Sequence, residues 1–562
     1  MSSRVSRVEA EPSPDAAQSC MVRMRDGVRL ATDVYLPQAD GPVPAILVRL
    51  PYDKASRYTF FPLLAPSVTA RGYALVVQDV RGKFGSEGET LAFVHETDDG
   101  WDTLDWVVNQ GWSDGEVGMF GDSYYGFTQW AALASGHPAL KAMVPRMTSA
   151  RLGSGERVAQ PVVEGGARTR EVPSLVQADY LSHYWVDQYI YDFEHDWSVR
   201  PIAAIFDRGA DAVGGRSGTL DMVMPHRVRF PVFRGRDPFD ARPIPILHAI
   251  GWFDNLAGAQ IRDYLELASR PEWAPLQYLY ADAVDHENYQ LADTPIDAQS
   301  DHDADDAALQ RMLPRYIEPA LDFFDVFLKR GRPAAQLPQV LWNLGHVGDR
   351  EAAAWPPPEA QTHVLRLTAD GGLTDSGAAV APGEVAWRHD PQDLVPSAVE
   401  NAFAFLSEYP DEAATGERAD VLAFTSEPLT EPLDIAGAVE LRLTLTATGP
   451  TTDVFARLLD VAPDGAARMI VRGETQALDP LNDPAVVAVG LGHTGYRVRP
   501  GHRLRLHVCS SDYPLYLPNP GTAENPWLAV ETAATTQTLH VGDGTVAELR
   551  LSVIGAGEAG DA

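Results

Sequence analysis

One serine in this chain of 562 residues has the surroundings that nucleophilic catalysis needs. Ser123 lies between an apolar run that ends at Gly121 and a segment, residues 124–135, that is compatible with a helix. The pattern predicts a strand, a sharp turn and a helix, and Gly121 and Gly126 would let the strand and the helix pass close together. A serine placed there stands at a helix N-terminus, where free backbone N–H groups stabilise an oxyanion. We interpret Ser123 as a nucleophile, with a helix N-cap as the competing interpretation.

Such a serine needs a base and a carboxylate, because a serine hydroxyl is a poor nucleophile at neutral pH. In open α/β sheets that carry this chemistry, the order along the chain is nucleophile, acid and histidine, each after a later strand. Asp254 follows a predicted strand, residues 244–250, by four residues. His286 follows the next predicted strand, residues 276–280, by six. We therefore interpret Asp254 as the orienting acid and His286 as the base.

Other acids and another histidine compete for these roles. Asp282 and Asp285 are rival carboxylates, but each shares a loop with His286 and is poorly placed to orient its ring. His302 is the rival base, and it lies among aspartates in a run that is better explained as a solvated acidic loop.

The oxyanion formed in acyl transfer needs two donors, and the loss of one typically costs roughly 100- to 1000-fold in rate. The backbone N–H of Tyr124 is the first candidate, because it directly follows the nucleophile. The second donor should come from the loop after an early strand, where residues 50–54 stand, with Tyr52 at their centre. The predicted site requires neither a metal nor a cofactor.

Alternating strand and helix patterns predict an α/β fold with a parallel sheet covered by helices on both faces. Asp26-Gly27, flanked by alternating residues, predicts a hairpin ahead of that sheet. The strand patterns are residues 45–48, 73–77, 140–144, 244–250 and 276–280, and the helix patterns are residues 97–109, 124–135, 256–269 and a long one around 316–327. We place the two parts of this domain at residues 20–145 and 241–352.

The segment between these two parts, residues 146–240, breaks the alternation and is interpreted as a helical insertion. Its aromatic residues concentrate in residues 175–192, and they could either roof a pocket or pack as an ordinary core. They are Tyr180, Tyr184, Trp185, Tyr189 and Tyr191.

Beyond Trp355-Pro356 the pattern changes to a period of two residues. Apolar residues alternate with polar ones around residues 439–446 and again around residues 503–508. Many short strands, turn residues and scarcely any helix pattern predict an all-β sandwich for residues 353–562.

The formal net charge of −33 disfavours nucleic acid and anionic membrane as partners. Cys20 and Cys509 are too few and too far apart in sequence for a disulfide framework or a cysteine-based metal site. Residues 1–20 lack the apolar core of a signal peptide, and no run of eighteen apolar residues occurs. We expect a cytoplasmic protein whose first nineteen residues are disordered. The oligomeric state stays open, with a homo-oligomer as one alternative.

Five segments together resemble the cocaine esterase and X-prolyl dipeptidyl peptidase family of serine hydrolases, and most closely its cocaine esterase branch. The resemblance covers about residues 22–555. The segments are Arg49-Leu50-Pro51-Tyr52-Asp53-Lys54, Gln78-Asp79-Val80-Arg81-Gly82, Gly118-Met119-Phe120-Gly121-Asp122-Ser123-Tyr124, Gly251-Trp252-Phe253-Asp254 and Ser511-Asp512-Tyr513-Pro514.

The resemblance implies an α/β-hydrolase domain with an inserted helical cap and a C-terminal jelly roll packed against both. It also implies a catalytic triad of Ser123, Asp254 and His286. The oxyanion hole would consist of the Tyr52 hydroxyl and the Tyr124 N–H.

These observations predict a serine hydrolase that cleaves carboxylic ester bonds of small molecules through an acyl-enzyme. One alternative is an amide-directed member of the same family, namely an acylase, an α-amino-acid ester hydrolase or an X-prolyl dipeptidyl peptidase. An alternative from another class is a catalytically idle binding scaffold.

Overall fold

The central sheet and its helices are built from segments close to those expected from the sequence. The structure, a computed structural model, describes residues 5–152, 158–159, 166–225, 231–287, 305–331, 333–408 and 410–555. In chain order the helices are α1 (Phe61–Ala70), α2 (Glu96–Val108), α3 (Ser123–Ser135), α4 (Leu175–Tyr184), α5 (Ala203–Val213), α6 (Gly218–Val223), α7 (Ala257–Ala268), α8 (Asp306–Phe327) and α9 (Phe405–Glu408).

The strands precede, separate and follow these helices. They are β1 (Ser6–Val8), β2 (Gln18–Arg23), β3 (Arg29–Tyr35), β4 (Val43–Leu50), β5 (Ala74–Asp79), β6 (Ser113–Asp122), β7 (Leu140–Arg146), β8 (Val158–Ala159), β9 (Thr169–Arg170), β10 (Ile190–Asp192), β11 (Ile246–Gly251), β12 (Gln277–Asp282), β13 (Val340–Leu344), β14 (Gly348–Ala352), β15 (Gln361–Leu367), β16 (Gly372–Asp375), β17 (Gly383–His389), β18 (Leu422–Ser426), β19 (Leu433–Ala447), β20 (Thr452–Val461), β21 (Ala467–Ala477), β22 (Ala485–Val498), β23 (Arg503–Cys509), β24 (Thr535–Val541) and β25 (Ala547–Ile554).

The first large sheet has the order β14-β13-β12-β11-β7-β6-β4-β5-β3-β2. Its strands from β13 to β5 pair in parallel, whereas β14 at one edge and β3 and β2 at the other pair antiparallel. The predicted hairpin is confirmed as β2 and β3, with Gly27 at a φ of +95° between them. Because β6, β11 and β12 run parallel, their carboxyl ends meet at one edge of the sheet, which is where ligands bind in such folds.

Two apolar clusters cover the two faces of this sheet. Neighbouring residues of β4 point to opposite faces, as the pleat requires. Val48 packs in the cluster that contains Leu64 of α1, while Leu47 packs in the cluster that contains Leu104 of α2 and Trp130 of α3. The α/β architecture predicted from the strand and helix patterns is therefore confirmed.

The segment between β7 and β11 contains the helices α4, α5 and α6, as expected for a helical cap. It also contains three short strands, β8, β9 and β10, and two of them pair with other parts of the chain. The β9 strand pairs with β21 of the C-terminal domain, and β10 pairs with β1 near the N-terminus. The boundaries placed at residues 145, 240 and 352 stay predictions.

The expected disorder of residues 1–19 is wrong where the structure describes them, from residue 5 onwards. Ser6–Val8 forms a strand on β10, and the backbone N–H of Glu11 donates to the Asp53 carboxylate at 2.6 Å. The Lys54 ammonium donates to the Ser13 hydroxyl. These polar tertiary contacts leave no apolar periodicity in the sequence, so the pattern could not reveal them.

The C-terminal domain is β-rich, and α9 is its one α-helix among the described residues. Its sheet has the strand order β17-β24-β19-β25-β15-β16-β18-β23-β20-β21-β9-β8, in which β9 and β8 come from the cap segment, and β22 pairs with β19. The alternating segments predicted around residues 439–446 and 503–508 are confirmed as parts of β19 and β23. A single apolar cluster runs from this domain into the α/β domain, where Trp252 and Trp355 stack at 5.0 Å between ring centroids. Within the described residues, no helix is long and apolar enough to cross a bilayer.

Candidate active site

Ser123 occupies the predicted turn at the carboxyl edge of the sheet. The strand β6 ends at Asp122, and α3 begins at Ser123 itself. Ser123 has a φ of +50°, in the left-handed region that costs a residue with a side chain of order 1–3 kcal/mol. Such strain persists where the surrounding structure imposes it, and the half-buried serine hydroxyl is thereby held at the end of the strand.

The two glycines of the turn are required by close contacts. A Cβ atom at Gly121, whose φ is +146°, would lie 2.1 Å from the Tyr125 ring. A Cβ atom at Gly126 would lie 2.5 Å from the Thr148 Cγ2 atom. The contact at Gly121 lies between β6 and α3, as expected from the sequence, whereas Gly126 faces Thr148, which follows β7.

Two polar side chains, Gln129 and Thr148, hold the turn in place through hydrogen bonds to backbone carbonyls. The Gln129 amide nitrogen donates to the carbonyl oxygens of Gly121, Tyr125 and Val144 at 3.1–3.2 Å. The Thr148 hydroxyl donates to the Ser123 carbonyl at 2.6 Å. The buried backbone carbonyls at the strained turn therefore keep hydrogen-bond partners, and Ser123 is held in one conformation.

Asp254 and His286 meet at the same edge of the sheet. They follow the neighbouring parallel strands β11 and β12, and the His286 Nδ1 atom lies 2.5 Å from the Asp254 Oδ2 atom. The other oxygen of Asp254 accepts the backbone N–H of Leu256 at 2.6 Å. Both side chains are buried, so this hydrogen bond fixes the ring orientation of His286 and leaves Nε2 as its free nitrogen.

The charge around His286 favours its protonated form. Burial alone lowers the pKa of His286, but the charge and hydrogen bond of Asp254 raise it, and the nearby carboxylates of Asp122 and Glu287 add to the rise. The net effect is a pKa above the ordinary value of 6.5. An imidazole in this setting can accept a proton and keep it while a negative charge forms nearby.

Tyr52 lies close to Ser123 and Tyr124, as the predicted oxyanion hole requires. Burial raises the pKa of Tyr52 to about 12, while hydrogen bonding with Tyr180, with the Ser123 side chain and with the Tyr124 backbone opposes that rise. The two phenol oxygens of Tyr52 and Tyr180 are 3.2 Å apart. The Tyr52 hydroxyl thus stays protonated at neutral pH and is able to donate.

The backbone N–H of Tyr124 is positioned through the tyrosine's own side chain. The Tyr124 hydroxyl accepts the Phe93 N–H at 2.7 Å and donates to the Glu96 carboxylate at 2.9 Å. Glu96 in turn forms a buried ion pair with Arg49 at 2.9 Å. The backbone beside the predicted oxyanion donor is therefore held by the Thr148 hydrogen bond to the Ser123 carbonyl, and the Tyr124 side chain is held by Phe93 and Glu96.

The rival acids have other partners. Asp282 pairs with Arg315 at 2.9 Å, and Asp285 is fully buried and accepts the Leu406 backbone N–H. Asp122, beside the serine, does not cap α3 but pairs with Arg146 at 3.0 Å. The rival base His302 lies outside the described residues.

The aromatic residues of the cap divide into two groups. The Tyr184 ring packs edge-on against Tyr52, and Trp185 packs against Tyr124, so with Tyr180 they cover the predicted oxyanion hole. Tyr189 and Tyr191 lie elsewhere: the Tyr189 ring carries the Arg7 guanidinium at 4.2 Å, and Tyr191 donates to Asp187. Tyr180, Tyr184 and Trp185 also belong to the apolar cluster of the sheet and the cap, so the two alternatives raised for this segment do not exclude each other, and Tyr189 and Tyr191 fit neither.

The C-terminal domain also contributes to the site, through residues that the sequence analysis did not single out. The Phe403 ring packs on the His286 ring at 5.1 Å, and Phe405 stacks on Phe253 beside Asp254. With the Leu406 N–H on Asp285, this segment covers the loop that carries the histidine. No local pattern marks it, because its role depends on how the two domains pack.

The fold and the arrangement of these residues define the class of the protein as an α/β-hydrolase with a C-terminal β domain. A model of the X-Pro dipeptidyl-peptidase (S15 family) matches residues 26–287, and a model of the X-Pro dipeptidyl-peptidase C-terminal non-catalytic domain matches residues 333–547. The cocaine esterase of Rhodococcus sp. (strain MB1 Bresler) is 31% identical over 90% of this chain and 92% of its own length. This chain therefore belongs to the cocaine esterase and X-Pro dipeptidyl-peptidase family of serine hydrolases.

Solved structures show the same architecture. An α-amino acid ester hydrolase is 27% identical, with a TM-score of 0.78 over 97% of this chain and 98% of that one. An aminopeptidase from a marine sediment Thaumarchaeota archaeon is 23% identical, with a TM-score of 0.76 over 98% of this chain and 99% of that one. The resemblance drawn from the five sequence segments is confirmed.

Proposed function

We propose that this protein hydrolyses carboxylic ester bonds of small molecules through an acyl-enzyme on Ser123. The observation that carries the proposal is the 2.5 Å hydrogen bond between His286 and Asp254 at the edge of the sheet where β6 delivers Ser123. The similarity to a cocaine esterase over nearly the whole chain supports ester chemistry. Neither a metal nor a cofactor enters this reaction.

In the proposed acylation, the Ser123 Oγ atom attacks the carbonyl carbon of the ester and His286 Nε2 takes its proton. Asp254 holds the imidazole through Nδ1 and stabilises the imidazolium that forms. The negative oxygen of the tetrahedral intermediate is bound by the Tyr52 hydroxyl and the Tyr124 N–H. The intermediate collapses as His286 returns the proton to the leaving alcohol, and the acyl group stays on Ser123.

In the proposed deacylation, His286 removes a proton from water, which attacks the acyl carbon. The same two donors bind the second oxyanion. The C–O bond to Ser123 then breaks, the serine regains its proton from His286, and the carboxylic acid leaves.

One observation favours the amide-directed or amino-ester alternative. Glu287 is close enough to Tyr58, Tyr184 and His286 to raise the pKa of each, so its carboxylate lies near the predicted site. A carboxylate there could bind the free ammonium group of an amino-acid ester or peptide substrate. The α-amino acid ester hydrolase of similar structure makes this a specific second candidate.

The proposal is tested with p-nitrophenyl esters from acetate to benzoate, compared with the matching anilides. We expect turnover of the esters with little turnover of the anilides, because an aniline is a poorer leaving group. Amino-acid esters with a free and with an acetylated amine separate the second candidate, which requires the free amine. Absence of all turnover, together with absence of labelling by a fluorophosphonate, would favour the idle scaffold.

Replacing Tyr52 with phenylalanine is expected to lower kcat for ester hydrolysis by roughly 100- to 1000-fold with little change in KM, because an oxyanion donor acts mainly in the transition state. The ring and its contacts with Tyr125 and Tyr184 would remain. Steady-state kinetics of the purified variant measure the effect.

The matched control for this variant is Tyr73→Phe, which removes another buried phenol. Tyr73 donates to Asp325 on α8 and touches none of the proposed catalytic groups. It should keep kcat within about 10-fold of the wild type, since only a structural hydrogen bond is lost. Equal kcat values for Tyr52→Phe and Tyr73→Phe would remove Tyr52 from the oxyanion hole.

A small-molecule ester is the proposed partner, and the charge of the chain makes nucleic acid and membrane partners unexpected. The cytoplasmic location also stays a prediction. The exclusion of nucleic acid and membrane partners and the cytoplasmic location rest on the sequence alone.

A further inference from the structure

A cluster of one aspartate and two histidines lies in the cap, outside the proposed catalytic groups. Asp179 and His183 stand one turn apart on α4, and His195 lies in the loop that follows β10. One ligand atom from each lies within 4.8 Å of those of the other two. It is the one such group of three or more potential ligands among the residues that the structure describes.

The spacing of the ligand atoms matches a metal site better than direct hydrogen bonds. The Asp179 Oδ1 atom is 3.3 Å from His183 Nε2 and 3.4 Å from His195 Nε2. A charge-assisted hydrogen bond between such groups is normally about 2.7–2.9 Å long. Two ligands about 2.05 Å from a tetrahedral Zn²⁺ ion are about 3.3 Å apart, which agrees with both distances.

The Nδ1 atom of His183 is engaged by a backbone carbonyl. It lies 3.0 Å from the Tyr191 carbonyl oxygen, so that nitrogen must donate. His195 directs its Nε2 atom toward the same Asp179 carboxylate. Carbonyl groups commonly hold metal-binding histidines in this way, with a lone pair on the opposite nitrogen.

The Nε2 lone pair of His183 therefore faces the Asp179 carboxylate, and a cation between the two atoms would satisfy both. The Ser182 hydroxyl lies 2.9 Å from His195 Nε2 and directs its own proton to the Asp179 backbone carbonyl. In the tautomer of His195 that carries its proton on Nδ1, the Nε2 lone pair joins this set, and one metal ion placed among these atoms would satisfy them all.

Aromatic side chains surround the buried side of the cluster, and its other side is open to solvent. His195 is buried, and the aromatic rings of Phe193, Trp197 and Phe206 pack around it at 4.8–5.3 Å. Phe193 also stacks on His183 at 4.0 Å. The Asp179 side chain is 39% exposed, which leaves a path for an ion and for the water that would complete its coordination.

We propose that Asp179, His183 and His195 bind one Zn²⁺ ion, which braces the cap. Two imidazoles and one carboxylate are ligands that Zn²⁺ prefers. The ion would join α4 to the loop after β10, and α4 also carries Tyr180 and Tyr184, which cover Tyr52. The site adds a metal that the sequence did not predict, and it takes no part in the serine chemistry.

The test is metal binding by the full-length protein after treatment with a chelator and dialysis. Titration with Co²⁺ is expected to give one equivalent per chain with the visible absorption of a tetrahedral site, and Zn²⁺ should displace it. Competition with a chromophoric chelator measures the affinity for Zn²⁺. Loss of a histidine's outer partner typically weakens metal binding about 10- to 100-fold, so loss of a direct ligand in Asp179→Asn or His183→Gln should exceed about 100-fold.

The matched control is His363→Gln in the C-terminal domain. His363 lies 3.5 Å from Asp375 in an exposed pair with no third ligand among the described residues, so the variant should keep the wild-type affinity. Ser123→Ala should also keep it, which separates this site from the proposed hydrolysis. Asp179 and His183 are chosen because both are more exposed than His195.

Thermal unfolding distinguishes loss of the site from loss of the fold. Without metal, the two ligand variants should unfold near the temperature of the wild type, and added Zn²⁺ should raise the Tm of the wild type alone, because a ligand stabilises only the state that binds it. If the wild type binds no Zn²⁺ or Co²⁺, or if the ligand variants bind as well as the wild type, the proposal is wrong and a proton holds the cluster together.

Discussion

Ser123→Ala is expected to lower kcat for ester hydrolysis by about 10⁵- to 10⁶-fold. Without the hydroxyl no acyl-enzyme forms, and only the oxyanion donors and the binding contacts remain, which is why removal of a catalytic serine typically costs about this much. The variant should also fail to react with a fluorophosphonate. Single-turnover kinetics and mass measurement of the labelled chain record the two results.

Two other substitutions control for the strained turn. Ser123→Gly should be equally inactive yet somewhat more stable, since glycine adopts the φ of +50° without strain. Ser135→Ala, at the far end of α3, removes a hydroxyl that donates to the Ala132 carbonyl and accepts the His137 N–H, and it should leave kcat unchanged. A Ser123→Ala enzyme that kept more than about 1% of wild-type turnover would exclude Ser123 as the nucleophile, because the residual rate after loss of such a serine is far lower.

Asp254→Asn is expected to lower kcat by about 10⁴-fold while leaving the fold intact, as replacing the acid of such a triad does. An amide at this position can present N–H to His286 Nδ1, which then accepts and leaves the proton on Nε2. In that tautomer His286 cannot take the proton of Ser123. Steady-state kinetics and a thermal unfolding curve measure the two parts of the prediction.

The pH dependence of kcat/KM gives a second, independent test of the interaction between Asp254 and His286. Because the Asp254 carboxylate raises the pKa of His286 above 6.5, kcat/KM of the wild type should fall as the pH is lowered through that pKa, where the imidazole becomes protonated. In Asp254→Asn burial still lowers the pKa of His286 and the carboxylate no longer opposes it. The falling limb should therefore move to lower pH.

Asp282→Asn is the control for this pair, because Asp282 is also buried at the carboxyl end of β12 but pairs with Arg315. The Asp282→Asn variant should keep kcat within about 10-fold of the wild type. The falling limb of its kcat/KM profile should stay at the wild-type pH, because the hydrogen bond between Asp254 and His286 is untouched. If Asp282→Asn lowered kcat by about 10⁴-fold and moved the falling limb of kcat/KM to lower pH, while Asp254→Asn did neither, the acid that orients His286 would be Asp282.

Local sequence patterns determined the elements that carry the site. The apolar run before Ser123, the flanking glycines and the helix-compatible segment after it predict the turn that the structure shows, with the serine in a left-handed conformation. The order of Ser123, Asp254 and His286 along the chain places each after a parallel strand. These inferences succeed because strand and helix periodicity, and the steric demand for glycine, act over a few neighbouring residues.

Only the tertiary structure decided what else surrounds these residues. The strand order brings β11 beside β12, and from that adjacency follows the hydrogen bond of His286 to Asp254, the acid that the order of residues along the chain indicates. Tyr180 on Tyr52 and Phe403 on His286 come from the cap and the C-terminal domain. Such contacts depend on how distant surfaces pack, and no short stretch of sequence carries that information.

The cap shows the same division. From the sequence, its aromatic residues could either cover a pocket or form a small core. In the structure, Tyr180, Tyr184 and Trp185 cover Tyr52 and Tyr124. Tyr189 and Tyr191 make other contacts. Asp179 and His183 are one helical turn apart in sequence, but His195 joins them only because the chain folds back after β10. The sequence by itself determined the main elements and the candidate reactive residues. The packing of those elements decided their neighbours, because side-chain contacts between elements depend on the whole fold.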